Sequence, residues 1–243
     1  MTFMTKQRTF LSIFKASVLM GAALPLAAQA DDLVLSGAVS VENRYVTEGV
    51  NNEPDADALL FSEVALETMG FTAGVVYVQA LSGSSYNEID LFLEYGMEFG
   101  DLETYVGIQF LTFPAPDEED TWEVYAGFEW AVLPLLNLYG EFYYDFDEVD
   151  GGFIELGVST EIPQPVEELS LEPYVQLGVD YGFLRENRRL RENNLQIGLV
   201  ATFDLTDNLA LFGSLNHSFA LDNLDQLEEG DVTWGGAGLA FSF

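Results

Sequence analysis

The residues of this chain best placed to do chemistry are carboxylates at alternate positions. Between Asn87 and Phe99, Glu88, Asp90, Glu94 and Glu98 share one parity, and Ile89, Leu91, Leu93, Tyr95, Met97 and Phe99 share the other. The same spacing puts Glu42, Glu63, Glu67, Glu103, Glu123, Glu129, Glu141, Asp145, Glu155, Glu161, Glu172 and Asp180 on one face of their segments, with Arg44 as the base among them. Carboxylates without paired bases concentrate cations and repel anions, as acidic rings do in pores. Nearby in the chain, Arg185, Arg188, Arg189 and Arg191 gather in one polar stretch. Three roles are open to them: pairing with Glu186 and Glu192, folding into an acidic interior as a gate or plug, or gripping lipopolysaccharide phosphates.

Hydrolytic chemistry has little to work with. Outer-membrane lipases and proteases need a histidine in a dyad or triad, and the chain holds one histidine, His217, and no cysteine. On a strand, Asn216 and Ser218 face away from His217, so the three form no catalytic cluster, and no catalytic residue is assigned. The acidic run Asp117-Glu118-Glu119-Asp120 lacks the spaced oxygen ligands of a calcium loop. Neither a metal nor a cofactor is expected.

Strands must position the carboxylates. A helix would scatter these acids around its circumference, whereas a strand sorts them onto one face. Twelve segments carry the pattern: 33–45, 59–69, 71–81, 87–99, 102–113, 121–130, 136–145, 153–162, 171–183, 194–203, 209–219 and 232–243. They run 10 to 13 residues, against about 9–11 for a tilted membrane strand and about 5–6 for soluble ones. Ten strands is the alternative, should the seventh and eleventh segments not span. Tight turns at Met69-Gly70 and Gly100-Asp101 alternate with longer polar loops, as in an outer-membrane barrel. The outward parity is apolar, for example Val39, Val41, Val106, Ile108, Val124, Leu156, Val175, Ile197 and Leu239. Aromatics at segment ends, such as Tyr45, Phe99, Trp122, Trp130 and Phe203, fit interfacial girdles. Inward glycines, including Gly74, Gly107, Gly127, Gly157 and Gly198, either relieve curvature or keep a bore clear.

Composition narrows the class. Lys6, Arg8 and Lys15 precede an apolar run and an Ala28-Gln29-Ala30 cleavage site, so residues 1–30 read as a secretory signal peptide and 31–243 as one barrel. All 41 acidic residues follow that leader, against Arg44 and the four clustered arginines. Nucleic-acid binding is excluded, because phosphate contacts need Lys and Arg. Apolar residues make up 49 % of the chain, which excludes disorder. A packed core on the acidic face is excluded too, since unpaired buried charges cost several kcal/mol each. A soluble sandwich with acidic outer faces is the competing architecture, and segment length argues against it.

The opening segment, Ser36-Gly37-x-x-Ser40 through Tyr45-x-x-Glu48-Gly49-Val50, resembles the TorF-type porin family of small secreted barrels. That family has Arg where this chain has Glu48. The resemblance implies an outer-membrane location and a transport role without a defined substrate. The final alternation, Leu239-x-Phe241-x-Phe243, looks like the signal that such barrels present to the outer-membrane assembly machinery. The reading is therefore an all-β, up-and-down transmembrane barrel, with lipid and lipopolysaccharide as surroundings. It is expected to be a porin-like, cation-preferring channel for small solutes. An adhesive or structural barrel, or a lipid hydrolase, is the alternative.

Overall fold

A computed structural model describes residues 33–114 and 119–243. The expected signal peptide, and Asp117 and Glu118 of the acidic run, lie outside the described residues. In chain order the strands are β1 (Val34–Glu42), β2 (Val46–Thr47), β3 (Val50–Asn51), β4 (Ala58–Thr68), β5 (Phe71–Ser82), β6 (Asn87–Phe99) and β7 (Leu102–Thr112). There follow β8 (Thr121–Leu133), β9 (Leu136–Asp145), β10 (Gly151–Thr160), β11 (Leu169–Tyr181), β12 (Arg191–Thr206) and β13 (Leu209–Ala220). A short helix, α1 (Asp222–Gln226), then precedes β14 (Val232–Ser242).

Neighbours pair antiparallel in sequence order, and β1 closes on β14, giving a barrel of twelve strands, with β2 and β3 forming a separate hairpin. The expected segments all become barrel strands, so twelve stands over ten. Closure leaves no strand edge, so every ladder group on the wall has a partner without water, the condition for spanning a bilayer. The seam is extended by Phe243, whose N–H donates to the Leu35 carbonyl while Leu35 N–H donates back to Phe243. Outside, Leu91, Leu93, Val124, Leu156, Val175, Ile197 and Leu199 are exposed, an apolar belt no water-soluble surface sustains.

The tight turns follow from backbone chemistry. Met69 (φ 53°) and Gly70 (φ 80°) both take left-handed conformations between the paired Thr68 and Phe71. That is a two-residue turn whose twist matches the strands. On this same side the connection between β10 and β11 is longer, and Ile162 bridges to Leu171 at its base.

Candidate functional site

The strand register sets like charges of the acidic row directly opposite one another. Glu98 faces Glu103, which faces Glu129, across β6, β7 and β8. Glu141 faces Glu155 across β9 and β10. Glu67 lies within electrostatic reach of Glu103, and Glu172 within reach of Glu129. Like charges in opposed positions destabilise a sheet, so this wall needs water or mobile cations. Glu67, Glu94, Glu103, Glu129, Glu141, Glu155 and Glu172 are partly accessible and Glu98 is exposed. These residues occupy the middle and the tight-turn half of the bore.

The inward glycines have a different purpose from either one expected. Tyr125 on β8 is registered against Gly107 on β7, which is registered against Glu94 on β6. The ring lies over Gly107, where an added Cβ would fall 2.0 Å from Tyr125 Cζ, and its hydroxyl reaches Glu94. Tyr105 crosses Gly127 in the same way and donates to Glu141 Oε2 at 2.7 Å. Tyr139 crosses Gly157 to Gln176 at 3.2 Å, and Tyr174 crosses Gly198 to Asn216 at 2.8 Å. Each glycine is thus the gap through which a tyrosine ties together three strands. The bore is narrowed by these rings and not cleared by the glycines. Sequence reasoning missed the inward aromatics; a tyrosine and a glycine on the same parity in neighbouring strands was the available signal.

The loop-side half of the bore is filled. Its carboxylates Glu42, Glu88, Glu123, Asp145 and Asp180 point inward but are no more than 5 % exposed. The stretch after β1 packs inside this half. Val46 packs on Ala38, Phe212, Val232 and Trp234, while Tyr45 and Ala56 pack on Leu59, Phe61 and Val78. Tyr45, expected in an interfacial girdle, is instead inside the barrel and donates to Glu88 Oε2 at 2.6 Å, as does Tyr86. At the tip of the β2–β3 hairpin, Glu48 (φ 49°) and Gly49 (φ 78°) form the turn. Glu48 accepts the Tyr143 hydroxyl from β9, and its carbonyl accepts Asn193 Nδ2 at 2.5 Å. Asn193 also accepts a bond from Asn223 of α1 at 2.8 Å. The hairpin therefore crosses from β1 to the opposite wall. Its tip is the Tyr-x-x-Glu-Gly-Val stretch that carries the family resemblance.

Burial pushes the Glu48 carboxyl above its ordinary range, with Glu88 and Asp180 adding to the rise and bonds from Thr47 and Tyr143 opposing it. Asp145 and Asp180 cap the strand ends. Asp180 accepts N–H bonds from Gly182 and Leu184, and Asp145 from Asp147 and Val149. These acids hold loops and are shielded from the bore.

The basic residues lie elsewhere than a lumen role requires. Arg44 sits past the end of β1 and is exposed, because the alternation stops at Glu42 and Tyr45 turns inward. Arg188 pairs with Asp150, Arg185 donates to Gln226 at 2.8 Å, and Arg191 lies 4.0 Å from Asp180. Arg189 is exposed. These contacts keep the arginine loop at the rim, tied to neighbouring loops instead of to Glu186 and Glu192, and the segment inside the loop-side bore is the β2–β3 hairpin. His217 faces outward, contacts Thr233 Oγ1 at 2.7 Å and stacks edge-on against Phe219, while Asn216 and Ser218 are buried inside. No dyad forms there. Among the described residues no group of three His, Cys, Asp or Glu side chains could hold a metal ion.

A closed antiparallel barrel with an apolar outer belt, short turns at one end and long loops at the other defines the class: a β-barrel of the outer-membrane type. No protein-family model matches the chain, and no curated protein matches it in sequence. Solved structures do match. One is the KdgM porin in complex with disordered oligogalacturonate, at TM-score 0.57 and 9 % identity, covering 86 % of this chain and 99 % of that one. Another is the NanC porin, at TM-score 0.53 and 10 % identity, with 86 % and 99 % covered. LpxR from Salmonella typhimurium matches at TM-score 0.50 and 12 % identity, with 85 % and 99 % covered. At these identities the likeness establishes the fold.

Proposed function

We propose that this chain is a porin-like outer-membrane channel that passes small cationic or neutral solutes and is shut from the loop side by its β2–β3 hairpin. One observation carries the reading. The opposed carboxylates Glu98, Glu103 and Glu129 line the accessible half of the bore, and the arginines after the leader lie at the loop side, away from them. A wall of that sign favours cations. The oligogalacturonate of the KdgM complex is a polyanion, which this bore would repel. The leader would deliver the chain across the inner membrane, the strand ending in Phe241 and Phe243 would engage the assembly machinery, and the rim arginines would face lipopolysaccharide.

The test is planar-bilayer recording of refolded protein in asymmetric potassium chloride. The reversal potential should take the sign set by the potassium gradient. A potential following chloride overturns the reading. His217→Ala should leave this conductance unchanged, because the ring lies on the lipid side.

A further inference from the structure

Midway along the bore, three carboxylates from separate strands approach one phenol. The Tyr125 hydroxyl on β8 bonds Glu94 of β6 and lies within electrostatic reach of Glu141 on β9 and Glu63 on β4. Glu141 accepts the Tyr105 hydroxyl at 2.7 Å. Glu63 is different: it is 2 % exposed, and neither of its carboxylate oxygens has a hydrogen-bond partner. It also lies within electrostatic reach of Glu94. A buried carboxylate aimed at other carboxylates, with no base at hand, is an incomplete site.

The chemistry around Glu63 indicates what completes it. Among the described residues no three carboxylates are placed to hold one metal ion. Aromatic side chains share the acids' face of the bore. Phe92 is two residues from Glu94 on the inward face of β6, and Tyr125 lies over Gly107 between Glu94 and its own strand, while Phe61, two residues from Glu63, is buried against Tyr45. Separate carboxylates beside aromatic faces suit a cation whose charge is carried on carbon chains, because ammonium groups bind both.

We propose that this part of the bore is a binding site for an organic cation of the alkylammonium or polyamine class, with Glu63 as its principal anchor and Glu94, Glu141 and the Tyr125 ring completing it. The inference rests on the cation-preferring reading above and names its solute class. One ammonium would sit at Glu63 and the chain would pass Tyr125 toward Glu94 or Glu141.

The test is isothermal titration of the refolded full chain in detergent with spermidine, at fixed salt, against Glu63→Gln and Glu172→Gln variants. Glu172 belongs to the same acidic bore but is reached by water, so it reports the diffuse field. Glu63→Gln should weaken spermidine binding about tenfold, and Glu172→Gln less than about twofold. Absence of spermidine binding, or equal weakening by the two variants, overturns the site. Should Glu63→Gln fail to refold, as judged by heat-modifiable gel migration, Tyr125→Leu is read by the same two outcomes. The potassium reversal potential is measured without spermidine, so loss of the site and loss of the cation preference are separately visible.

Discussion

The two ends of the bore receive the same kind of residue and treat it in opposite ways. On the tight-turn side, Glu98, Glu103 and Glu129 oppose one another and meet water. On the loop side, Glu88, Asp145 and Asp180 are buried, and each accepts defined bonds from a phenol, a hydroxyl or backbone N–H groups. Alternation decides only that a carboxylate points inward. Whether it serves as a mobile-ion lining or a structural acceptor depends on whether a loop returns to cover it. Here the stretch from Tyr45 to Ala56 returns, and the end it covers acquires the barrel's apolar clusters as well.

The largest effect should come from abolishing that difference. Replacing residues 46–51 by a short Gly-Ser link uncovers the loop-side half, and the mean current per channel should rise by about a hundredfold, the scale of a shift from a mostly shut to a mostly open population. An unchanged mean current would mean the hairpin is not the barrier. Next in size is Asn193→Ala, which removes the bond to the Glu48 carbonyl and the one from Asn223. Losing a buried pair of this kind costs about 1–3 kcal/mol, so open probability should climb roughly 5- to 150-fold while the shut state dominates. The same seat should respond to pH. Burial raises the Glu48 carboxyl, so its neutral form is preferred in the seated hairpin. The hold is then complete below the ordinary carboxylate range and weakens as pH rises through the raised value. Raising the pH should favour opening, and Glu48→Gln, neutral at every pH, should flatten that dependence.

Much of the wall was legible before any coordinates. Strands such as Asn87–Phe99 show their two faces outright, because the period of a strand is local and lipid tolerates no charge on one side. The hairpin was harder. Val46-Thr47 and Val50-Asn51 are too short to show alternation, and Glu48 at their turn reads as a solvated acid. Its burial is decided by Tyr143 and Asn193, which are distant in sequence. The Thr47-Glu48-Gly49-Val50 order does carry a turn signal, with Glu48 and Gly49 at left-handed positions between two β-branched residues. The role of the inward glycines was hidden for a related reason, since a glycine says nothing about the ring above it until register pairs Gly107 with Tyr125.

Register also predicts which glycines resist substitution. A Cβ at Gly127 would lie 2.2 Å from Tyr105 Cζ, so alanine must lift the ring and break its bond to Glu141. Overpacking of this sort costs about 1–3 kcal/mol. At Gly213, on the outward parity, the nearest atom is the Gly236 carbonyl oxygen at 3.4 Å, and alanine should be tolerated. Heat-modifiable gel migration compares the two: Gly127→Ala should lose the folded band at lower temperature than Gly213→Ala. Equal behaviour would deny the tyrosine straddle its stabilising part.

The smallest effect is the sharpest comparison, because its sign should invert between the two ends. Glu103→Gln removes the middle charge of three opposed carboxylates, and relief of that repulsion should stabilise the barrel by about 0.2–1 kcal/mol. It should also move the reversal potential slightly toward zero. Asp180→Asn is formally the same change, loss of one negative charge on the inward row. There, however, one carboxylate oxygen accepts from Gly182 and the other from Leu184, and the amide has a single acceptor oxygen. That substitution should cost about 1 kcal/mol and leave the reversal potential where it was. If both neutralisations shift stability in the same direction, the acids at the two ends belong to one electrostatic field, and the hairpin does not divide a wet bore from a bonded one.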